Sequence, residues 1–270
     1  MTGLRYRAIV DALRSLGGPP HFSVVPPTET VRYRTPRRGV PPLADVYVPA
    51  SPSGAGVVLV HGGGFVLGTR AMKPMRFLAA RLVAAGVTVC SIDYRLIFRG
   101  GRLEEAVDDV RAAVEFFRGR SSALGLDAAR VSLVGLSAGG TLAMLAAARE
   151  PLHRLVSCFG LYELDHLEGP LARVVPRLLF RSRDPRRWAA RSPRHAEPPK
   201  APTLLLHGDD DGLVPVAQAR RLAAHREALG LPTRLVVYEG APHGFFNAPC
   251  PAAEQAAREI VTHVTSGTGS

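Results

Sequence analysis

The sequence has 270 residues, 46% of them hydrophobic, which suits one large α/β domain or two small ones. Its formal net charge is +11, but every basic residue except Lys73 and Lys200 is arginine, and no motif or basic stripe with interleaved aromatics indicates nucleic-acid binding. No stretch is long and apolar enough to predict a membrane span, and arginines and Asp11 interrupt the N-terminus, so no signal peptide is predicted.

The three cysteines indicate neither a metal site nor a disulfide framework. Cys90 and Cys158 lie in apolar runs and predict buried free thiols, and Cys250 stands apart from both. Because the sequence contains no CxxC pair and no Cys/His cluster, we expect neither a metal nor another cofactor. Unpaired thiols favour a reducing, cytoplasmic location.

The two ends of the chain are expected to lie outside the main domain. Residues 1–27 predict an amphipathic helix, ended by the Gly-Gly-Pro-Pro run at 17–20, and a linker; a contribution of this segment to a cap is left open. Residues 266–270, composed of Ser, Gly and Thr, predict a disordered tail.

Between residues 28 and 265, apolar runs of strand length alternate with runs of helical spacing. The predicted strands cover 31–35, 45–48, 57–60, 87–94, 131–134, 155–161, 203–206 and 234–238. The predicted helices cover 71–85, 103–117, 138–149, 216–229 and 252–264. The first two strands are expected to form an antiparallel edge pair. The fully apolar strands after them predict a mostly parallel sheet of about eight strands with helices on both faces.

The run V-S-L-V-G-L-S-A-G-G, from Val131 to Gly140, predicts a strand, a sharp turn and a helix. Ser137 lies between Gly135 and Gly139, the pattern of a nucleophile elbow, whose central residue has strained dihedrals and whose neighbours must be small. Such a turn lifts the serine hydroxyl clear of the sheet, beside a helix N-terminus whose free N–H groups stabilise an anion. An ordinary glycine-flanked turn is the alternative.

A nucleophilic serine needs a base, for which the chain offers nine histidines. His243, in A-P-H-G-F-F after the last predicted strand, is the candidate, because an imidazole exchanges a proton near neutral pH. His61 and His207 each precede a glycine directly after a strand. For these two, structural hydrogen bonding within the loop is the preferred interpretation.

The acid that orients the base is expected within the run from Asp209 to Asp211. Asp211 is preferred because Pro215 can open the next helix, which places Asp211 in the loop that faces the site. Asp209 and Asp210 are then turn or capping residues.

Glycines 62–64 follow the strand at 57–60 and let bare backbone N–H groups approach an oxyanion. Ala138, directly after Ser137, supplies another N–H. Each of these motifs follows a predicted strand, and parallel sheets form their sites at the carboxyl ends of strands. We therefore expect the motifs to converge at one edge of the sheet.

In this order, H-G-G-G-F, D-Y-R-L, G-L-S-A-G-G, H-G-D-D-D-G-L-V-P and P-H-G-F resemble the α/β-hydrolase superfamily over about residues 40–265. The resemblance is strongest to its esterase/lipase branch, with the hormone-sensitive-lipase-like carboxylesterases. It implies an α/β-hydrolase fold with a small cap, and hydrolysis of a small-molecule carboxylic ester through an acyl-enzyme. It also implies the site residues: Ser137, Asp211 and His243 as the catalytic triad, and Gly63, Gly64 and Ala138 as oxyanion donors.

Two departures leave the substrate class open. Many hormone-sensitive-lipase-like members carry an acid before the serine and a D-P-L-R-D loop, where this chain has Leu136 and D-D-D-G-L-V-P. The chain resembles equally the feruloyl-esterase-like and prolyl-oligopeptidase-like relatives, so amide hydrolysis, thioester release from a carrier and lactone chemistry remain alternatives. A non-catalytic ligand-binding relative should have lost a triad residue, and none is missing. The sequence also leaves a homodimer open.

Residues 163–199 interrupt the alternation with an arginine- and proline-rich insertion, where relatives place a cap. Arg173, Arg177 and Arg181 follow one another at helical spacing; Pro176 is expected to split the helix, and Asp184 with Pro185 to start another. The arginines form either a solvated face or a surface that attracts an anionic substrate or an acidic carrier domain.

Overall fold

The computed structural model describes residues 20, 22–35, 40–167 and 174–267, and within them eight strands form one sheet. The strands are β1 (Glu29–Arg32), β2 (Leu43–Tyr47), β3 (Gly54–Val60), β4 (Thr88–Ile92), β5 (Leu126–Leu136), β6 (Leu155–Cys158), β7 (Thr203–Gly208) and β8 (Thr233–Tyr238).

The order of the strands across the sheet is β1-β2-β4-β3-β5-β6-β7-β8. β1 pairs antiparallel with β2, and β2 antiparallel with β4, whereas the pairs from β4 to β8 are all parallel. The predicted antiparallel edge pair and the predicted mostly parallel sheet are therefore confirmed.

Helices cover both faces of the sheet in the described residues. The helices are α1 (Lys73–Ala84), α2 (Leu103–Gly119), α3 (Ala138–Ala147), α4 (Val174–Phe180), α5 (Pro185–Ala189), α6 (Ala217–Ala228) and α7 (Pro251–Thr265), with 3₁₀ turns at Ile97–Arg99 and Phe245–Asn247. Because successive strand residues point to opposite faces, Leu133 packs in a core with α2, α3 and α6, while Val134 packs in a core with α1 and α7. Burial on both faces explains why these strands are apolar throughout.

Several element ends differ from the predicted ones for local reasons. β5 begins at Leu126, five residues early, because Leu126 pairs with Gly54 ahead of an irregularity in the ladder. β6 ends at Cys158 because Phe159 adopts a left-handed φ of 41°, which an extended strand cannot continue. Gly86, with φ of 77°, follows α1 in the conformation that a helix-ending glycine provides.

In the insertion, the expected break at Pro176 is wrong. Pro176 lies in the first turn of α4, where a missing N–H costs no intrahelical hydrogen bond, and the helix continues through it. The expected start at Asp184 is confirmed: its Oδ1 accepts a 3.0 Å hydrogen bond from the Arg186 N–H, and Pro185 is the first helical residue. Arg173 lies outside the described residues.

The helix expected in the first 27 residues also lies outside the described part of the chain. Of the tail expected at residues 266–270, the described part of the chain includes only Ser266 and Gly267. The carbonyl of Ser266 accepts from His153 Nε2 at 3.0 Å, and that of Gly267 from Arg154 Nη2 at 2.6 Å. Across the described ranges, no helix has the length and apolar character needed to cross a bilayer.

The sheet order brings two motif-bearing loops side by side. β3, which runs into His61 and the three glycines, is a direct neighbour of β5, which runs into Ser137. β4 lies on one side of β3 and the later strands on the other, so the strand order reverses here. Such a reversal opens a crevice at the carboxyl edge of an α/β sheet.

Candidate active site

Ser137 stands in a strained turn between β5 and α3. Its φ of 52° and ψ of −119° lie in a region that residues other than glycine rarely adopt. Its N–H donates to the Cys158 carbonyl at 2.9 Å, which fixes the turn against β6. The predicted strand–turn–helix geometry is confirmed.

The small neighbours of Ser137 are a steric requirement, as the pattern predicted. A Cβ on Gly135 would lie 2.2 Å from the Gly139 carbonyl oxygen, and a Cβ on Gly139 would lie 2.2 Å from the Val60 carbonyl oxygen. Both contacts are with backbone, which cannot move aside. The turn therefore packs directly on the end of β3.

The structure brings together the three polar residues that the sequence singled out. Ser137 Oγ lies 2.9 Å from His243 Nε2, and His243 Nδ1 lies 2.7 Å from Asp211 Oδ2. The two hydrogen bonds span 106 and 32 residues of sequence. The Asp211 side chain is fully buried and that of His243 is 11% exposed.

The loop after β7 holds the Asp211 carboxylate through its other oxygen. Oδ1 accepts from the N–H groups of Leu213 at 2.9 Å and Val214 at 2.8 Å. Burial by itself would raise the pKa of Asp211. The His243 charge and the hydrogen bonds from His207 and His243 outweigh that effect and hold the pKa below its ordinary value.

His207 contacts the same carboxylate. The sequence did not predict this contact. The Nε2 of His207 lies 2.9 Å from the Val214 carbonyl oxygen, the loop contact that was predicted, and also 3.1 Å from Asp211 Oδ2. A histidine four residues before the acid, at the end of the same strand, is the one sequence signal that could have indicated this contact.

His61 plays the structural role that the sequence predicted. It is fully buried, its Nδ1 lies 2.6 Å from the Gly62 carbonyl oxygen, and its ring stacks on Tyr94 at 4.3 Å. Burial lowers the pKa of His61 to about 4, against the smaller effect of the hydrogen bond to Gly62.

The glycine loop after His61 lies against the serine turn. A Cβ on Gly62 would be 3.2 Å from the Ser137 Cβ. Gly63 and Gly64 have φ of 113° and 60°, and their N–H groups donate to no acceptor in the described chain. Ala138 is the first residue of α3, where an N–H has no intrahelical acceptor. Free donors therefore border Ser137 on two sides.

An aromatic cluster supports the imidazole. Phe159 meets the His243 ring edge-on with centroids 5.0 Å apart, and it also packs on Phe245 and Phe246. Phe159 is one of four described residues other than glycine with a positive φ. Two of those four, Ser137 and Phe159, thus lie beside His243, and backbone strain of this kind concentrates at functional sites.

A second buried carboxylate closes the base of the insertion. Glu163 is held by Arg221, whose Nε lies 3.0 Å from both carboxylate oxygens, and by Arg194, whose Nε lies 3.2 Å from Oε1. Gln218 Oε1 accepts from the N–H groups of Tyr162 and Glu163. The first residues of the insertion are therefore bound to α6.

Most arginines in the described part of the insertion are exposed to solvent. Arg177 and Arg181 are exposed, and neither forms an ion pair with any other described residue. Arg191 differs, since its Nη1 lies 3.4 Å from Glu104 Oε1 on α2.

Among the residues that the structure covers, no group of three His, Cys, Asp or Glu side chains is placed to hold a metal ion. A cavity of about 270 Å³ lies between α2, α3 and residues 190–197, but its lining, which includes Val107, Leu145 and Arg191, does not include Ser137 or His243.

Comparison with known families and sequences points to esterases. The family model BD-FAE matches residues 44–170. Esterase LipC of Mycobacterium tuberculosis is 29% identical over 214 residues, which cover 70% of this chain and 52% of LipC. The probable isoprenylcysteine alpha-carbonyl methylesterase ICME of Oryza sativa subsp. japonica is 28% identical over 227 residues, 74% of this chain and 54% of that protein. The chain thus spans about half the length of these relatives.

Comparison with solved structures gives a fuller overlap. Esterase 2 of Thermogutta terrifontis, in a structure phosphonylated by sarin, superimposes with a TM-score of 0.72 and 25% sequence identity. The match covers 86% of this chain and 91% of the esterase.

Proposed function

Because this chain is an α/β-hydrolase of the esterase/lipase branch, we propose that it hydrolyses carboxylic esters, with Ser137 as nucleophile, His243 as general base and Asp211 as the acid that orients the imidazole. The observation that carries the proposal is the continuous hydrogen-bonded path from the Ser137 hydroxyl through both ring nitrogens of His243 to Asp211. The path starts at a strained turn whose hydroxyl faces the carboxyl edge of the sheet.

In the first half of the reaction, Ser137 Oγ attacks the ester carbonyl carbon while His243 Nε2 accepts the hydroxyl proton. The tetrahedral intermediate then loses the alcohol, which takes that proton from His243, and the acyl group remains on Ser137. In the second half, His243 Nε2 takes a proton from a water molecule as its oxygen attacks the acyl carbonyl carbon; the tetrahedral intermediate then breaks its bond to Ser137 Oγ, which takes that proton back from His243, and the acid leaves. Asp211 keeps Nδ1 protonated throughout, so that Nε2 is free to accept.

The amides of Gly63, Gly64 and Ala138 are the proposed donors to the oxyanion. Their support is that the two glycine amides lack acceptors in the described chain and that Ala138 opens α3 beside Ser137. Donors placed before the charge develops stabilise the transition state without reorganising, and one such donor contributes on the order of 10²–10³ in kcat.

The direct test is the change Ser137→Ala, assayed with p-nitrophenyl butyrate. Alanine fits the sterics of the turn, so the fold should be kept while kcat falls on the order of 10⁴–10⁶-fold. Activity within tenfold of wild type in a clean preparation would overturn the assignment. A wild-type protein that binds the ester without hydrolysing it would instead indicate a non-catalytic relative.

Other acyl transfers on the same residues form the second candidate. The loop D-D-D-G-L-V-P stands where many hormone-sensitive-lipase-like members have D-P-L-R-D, and the chain resembles feruloyl-esterase-like and prolyl-oligopeptidase-like relatives equally. Amides, carrier thioesters and lactones therefore belong in the substrate panel. A kcat/KM for any of these that exceeds the value for short esters by tenfold would shift the natural reaction away from ester hydrolysis.

The exposed arginines support a further part of the proposal, that Arg173, Arg177 and Arg181 attract an anionic acyl substrate or an acidic carrier domain. Arg177 and Arg181 have no described ion-pair partner, so their charge is available to solvent. Such a surface raises association rates by about 10–10³-fold at low salt.

Changing all three arginines to Gln should lower kcat/KM for an anionic ester and remove its dependence on salt between about 20 and 500 mM, while a neutral ester of equal length is unaffected. An equal change in kcat/KM for the two esters would show that the three arginines do not attract the anionic substrate.

A further inference from the structure

We propose that His207 is a positioning residue for the hydrolysis: its Nε2–H holds Asp211 Oδ2 in line with His243 Nδ1 and joins that carboxylate to the loop that carries it. This inference rests on the proposed function, since it concerns the same acid. It is carried by the arrangement of hydrogen-bond donors around one buried carboxylate.

The partners of His207 determine where its hydrogen lies. Nε2 faces the Val214 carbonyl oxygen at 2.9 Å and Asp211 Oδ2 at 3.1 Å, and both of these atoms only accept hydrogen bonds. Nε2 therefore carries a hydrogen and shares it between the two. Nδ1 is buried and has no partner among the described residues, so no hydrogen bond favours a different orientation of the ring.

The Asp211 carboxylate is thereby surrounded by donors on both oxygens. Oδ1 accepts from the N–H groups of Leu213 and Val214, and Oδ2 accepts from the two imidazoles. With His207 absent, Oδ2 would depend on His243 alone for its position. The carboxylate could then rotate about the oxygen held by the loop, and the imidazole would follow it.

Val214 links the two oxygens through its own backbone. Its N–H donates to Asp211 Oδ1 while its carbonyl accepts from His207. His207 is the penultimate residue of β7 and is fully buried, with its Cα paired to that of Val237 in β8. The contact therefore ties the part of the loop that carries Asp211 to the end of β7, in addition to the hydrogen bonds that Asp209 forms with Tyr238 and Gly240.

His153 is a buried histidine that makes a similar carbonyl contact away from the candidate site: its Nε2 lies 3.0 Å from the Ser266 carbonyl oxygen. It lies just before β6, at the amino edge of the sheet, and does not contact Asp211. His153 is thus the matched control for the loss of a buried imidazole.

The experiment compares His207→Leu, His207→Asn and His207→Gln with His153→Leu, using p-nitrophenyl butyrate, with Tm and circular dichroism to verify folding. Gln can place an amide N–H near the position of Nε2, whereas Asn places it near Nδ1, where no acceptor lies.

We expect Leu and Asn at position 207 to lower kcat about 10- to 100-fold and to leave KM within about threefold of wild type. The reason is that misplacement of a catalytic group such as the His243 imidazole by about 1 Å costs on the order of 10²-fold in rate. Gln should recover kcat to within about fivefold of wild type, and His153→Leu should keep it.

The pH profile gives a readout that loss of packing would not change. Without the Nε2–H, Oδ2 attracts a proton on His243 more strongly, so the acid limb of kcat/KM should move to higher pH in the Asn and Leu variants and stay in place in the Gln variant. If the Leu variant does not fold, the Asn and Gln pair decides the question alone.

The outcomes separate the two proposals. Equal kcat and equal pH profiles for folded Asn and Gln variants, in an active wild-type background, would overturn the role of His207 alone. A wild-type protein without hydrolase activity, or a Ser137→Ala variant as active as wild type, would overturn the proposed function and this inference with it.

Discussion

Asp211 and Glu163 are both buried acids that follow neighbouring strands of the sheet, β7 and β6, yet their partners differ in kind. Glu163 is paired with the guanidinium groups of Arg221 and Arg194. Asp211 is paired with two imidazoles and, in the described chain, forms no ion pair with arginine or lysine. Guanidinium groups remain charged at every pH at which the protein folds, whereas imidazoles exchange protons near neutrality.

The difference separates a structural carboxylate from one suited to chemistry. Both pKa values are held below their ordinary range in spite of burial, which acts in the opposite direction in each case. For Glu163, both arginines lower the pKa, and Arg221 binds the insertion to α6. For Asp211, the lowering of the pKa comes from His243 and His207, so its charge faces the imidazole that we propose as the general base.

The largest expected effect distinguishes Asp211 from its neighbours. Asp211→Asn should lower kcat on the order of 10⁴-fold, because an amide in place of the carboxylate stabilises the wrong tautomer of His243. Asp209→Asn and Asp210→Asn are matched controls, since both side chains are exposed and Asp209 Oδ1 accepts only from the Gly240 N–H at 2.7 Å. A comparable loss of kcat in Asp210→Asn would show that Asp210, and not Asp211, orients the imidazole.

The next effect concerns activity as a function of pH. Because the proposed mechanism needs a neutral His243 to accept the Ser137 proton, kcat/KM should fall about tenfold per pH unit on the acid side of one ionisation and reach a plateau on its alkaline side. Glu163→Gln should show the same profile, since that carboxylate does not contact His243. A flat profile between pH 5 and 8 would mean that His243 is not the base or that a step other than chemistry limits the rate.

A smaller effect is expected on stability. Glu163→Gln removes the charge that Arg221 and Arg194 face, and should lower the free energy of unfolding by about 1–3 kcal/mol, with kcat for a small neutral ester within about twofold. Denaturant unfolding measures the loss. Equal stabilities would mean that solvent screening at the partly exposed arginines cancels the interaction.

The smallest expected effect is the pH dependence of the difference in unfolding free energy between wild type and Glu163→Gln. The pKa of Glu163 is lowered in the folded protein, so its contribution is fully present above the ordinary glutamate value of about 4.3 and is lost as the pH falls through the folded pKa. The stability difference between wild type and Glu163→Gln should therefore hold at pH 6 and shrink below about pH 4. A difference that grows towards low pH has the wrong sign for this explanation.

The sequence determined those parts of the protein that depend on local sterics and on periodicity. Glycines at positions 135 and 139 predicted the turn at Ser137, because backbone oxygens come within 2.2 Å of where their side chains would lie. Apolar runs predicted the parallel sheet, because strands buried on both faces must be apolar throughout. The placement of motifs after strands predicted which edge of the sheet would carry them.

The tertiary structure alone decided the distances at which the polar groups meet. The 31 residues between Asp211 and His243 and the 105 between Ser137 and His243 have no local rule that sets a distance between side chains. The same holds for Glu163 and Arg221, which are 58 positions apart, and for Phe159, whose left-handed backbone ends β6 beside the His243 ring. His207 shows the difference between what the sequence and the tertiary structure determine. Its contact with the loop at Val214 was expected from its position after a strand. Its contact with Asp211 exists because the loop folds the carboxylate back towards the end of β7. Local conformation is a property of a few consecutive residues, but a hydrogen bond between distant side chains depends on the packing of every element that lies between them.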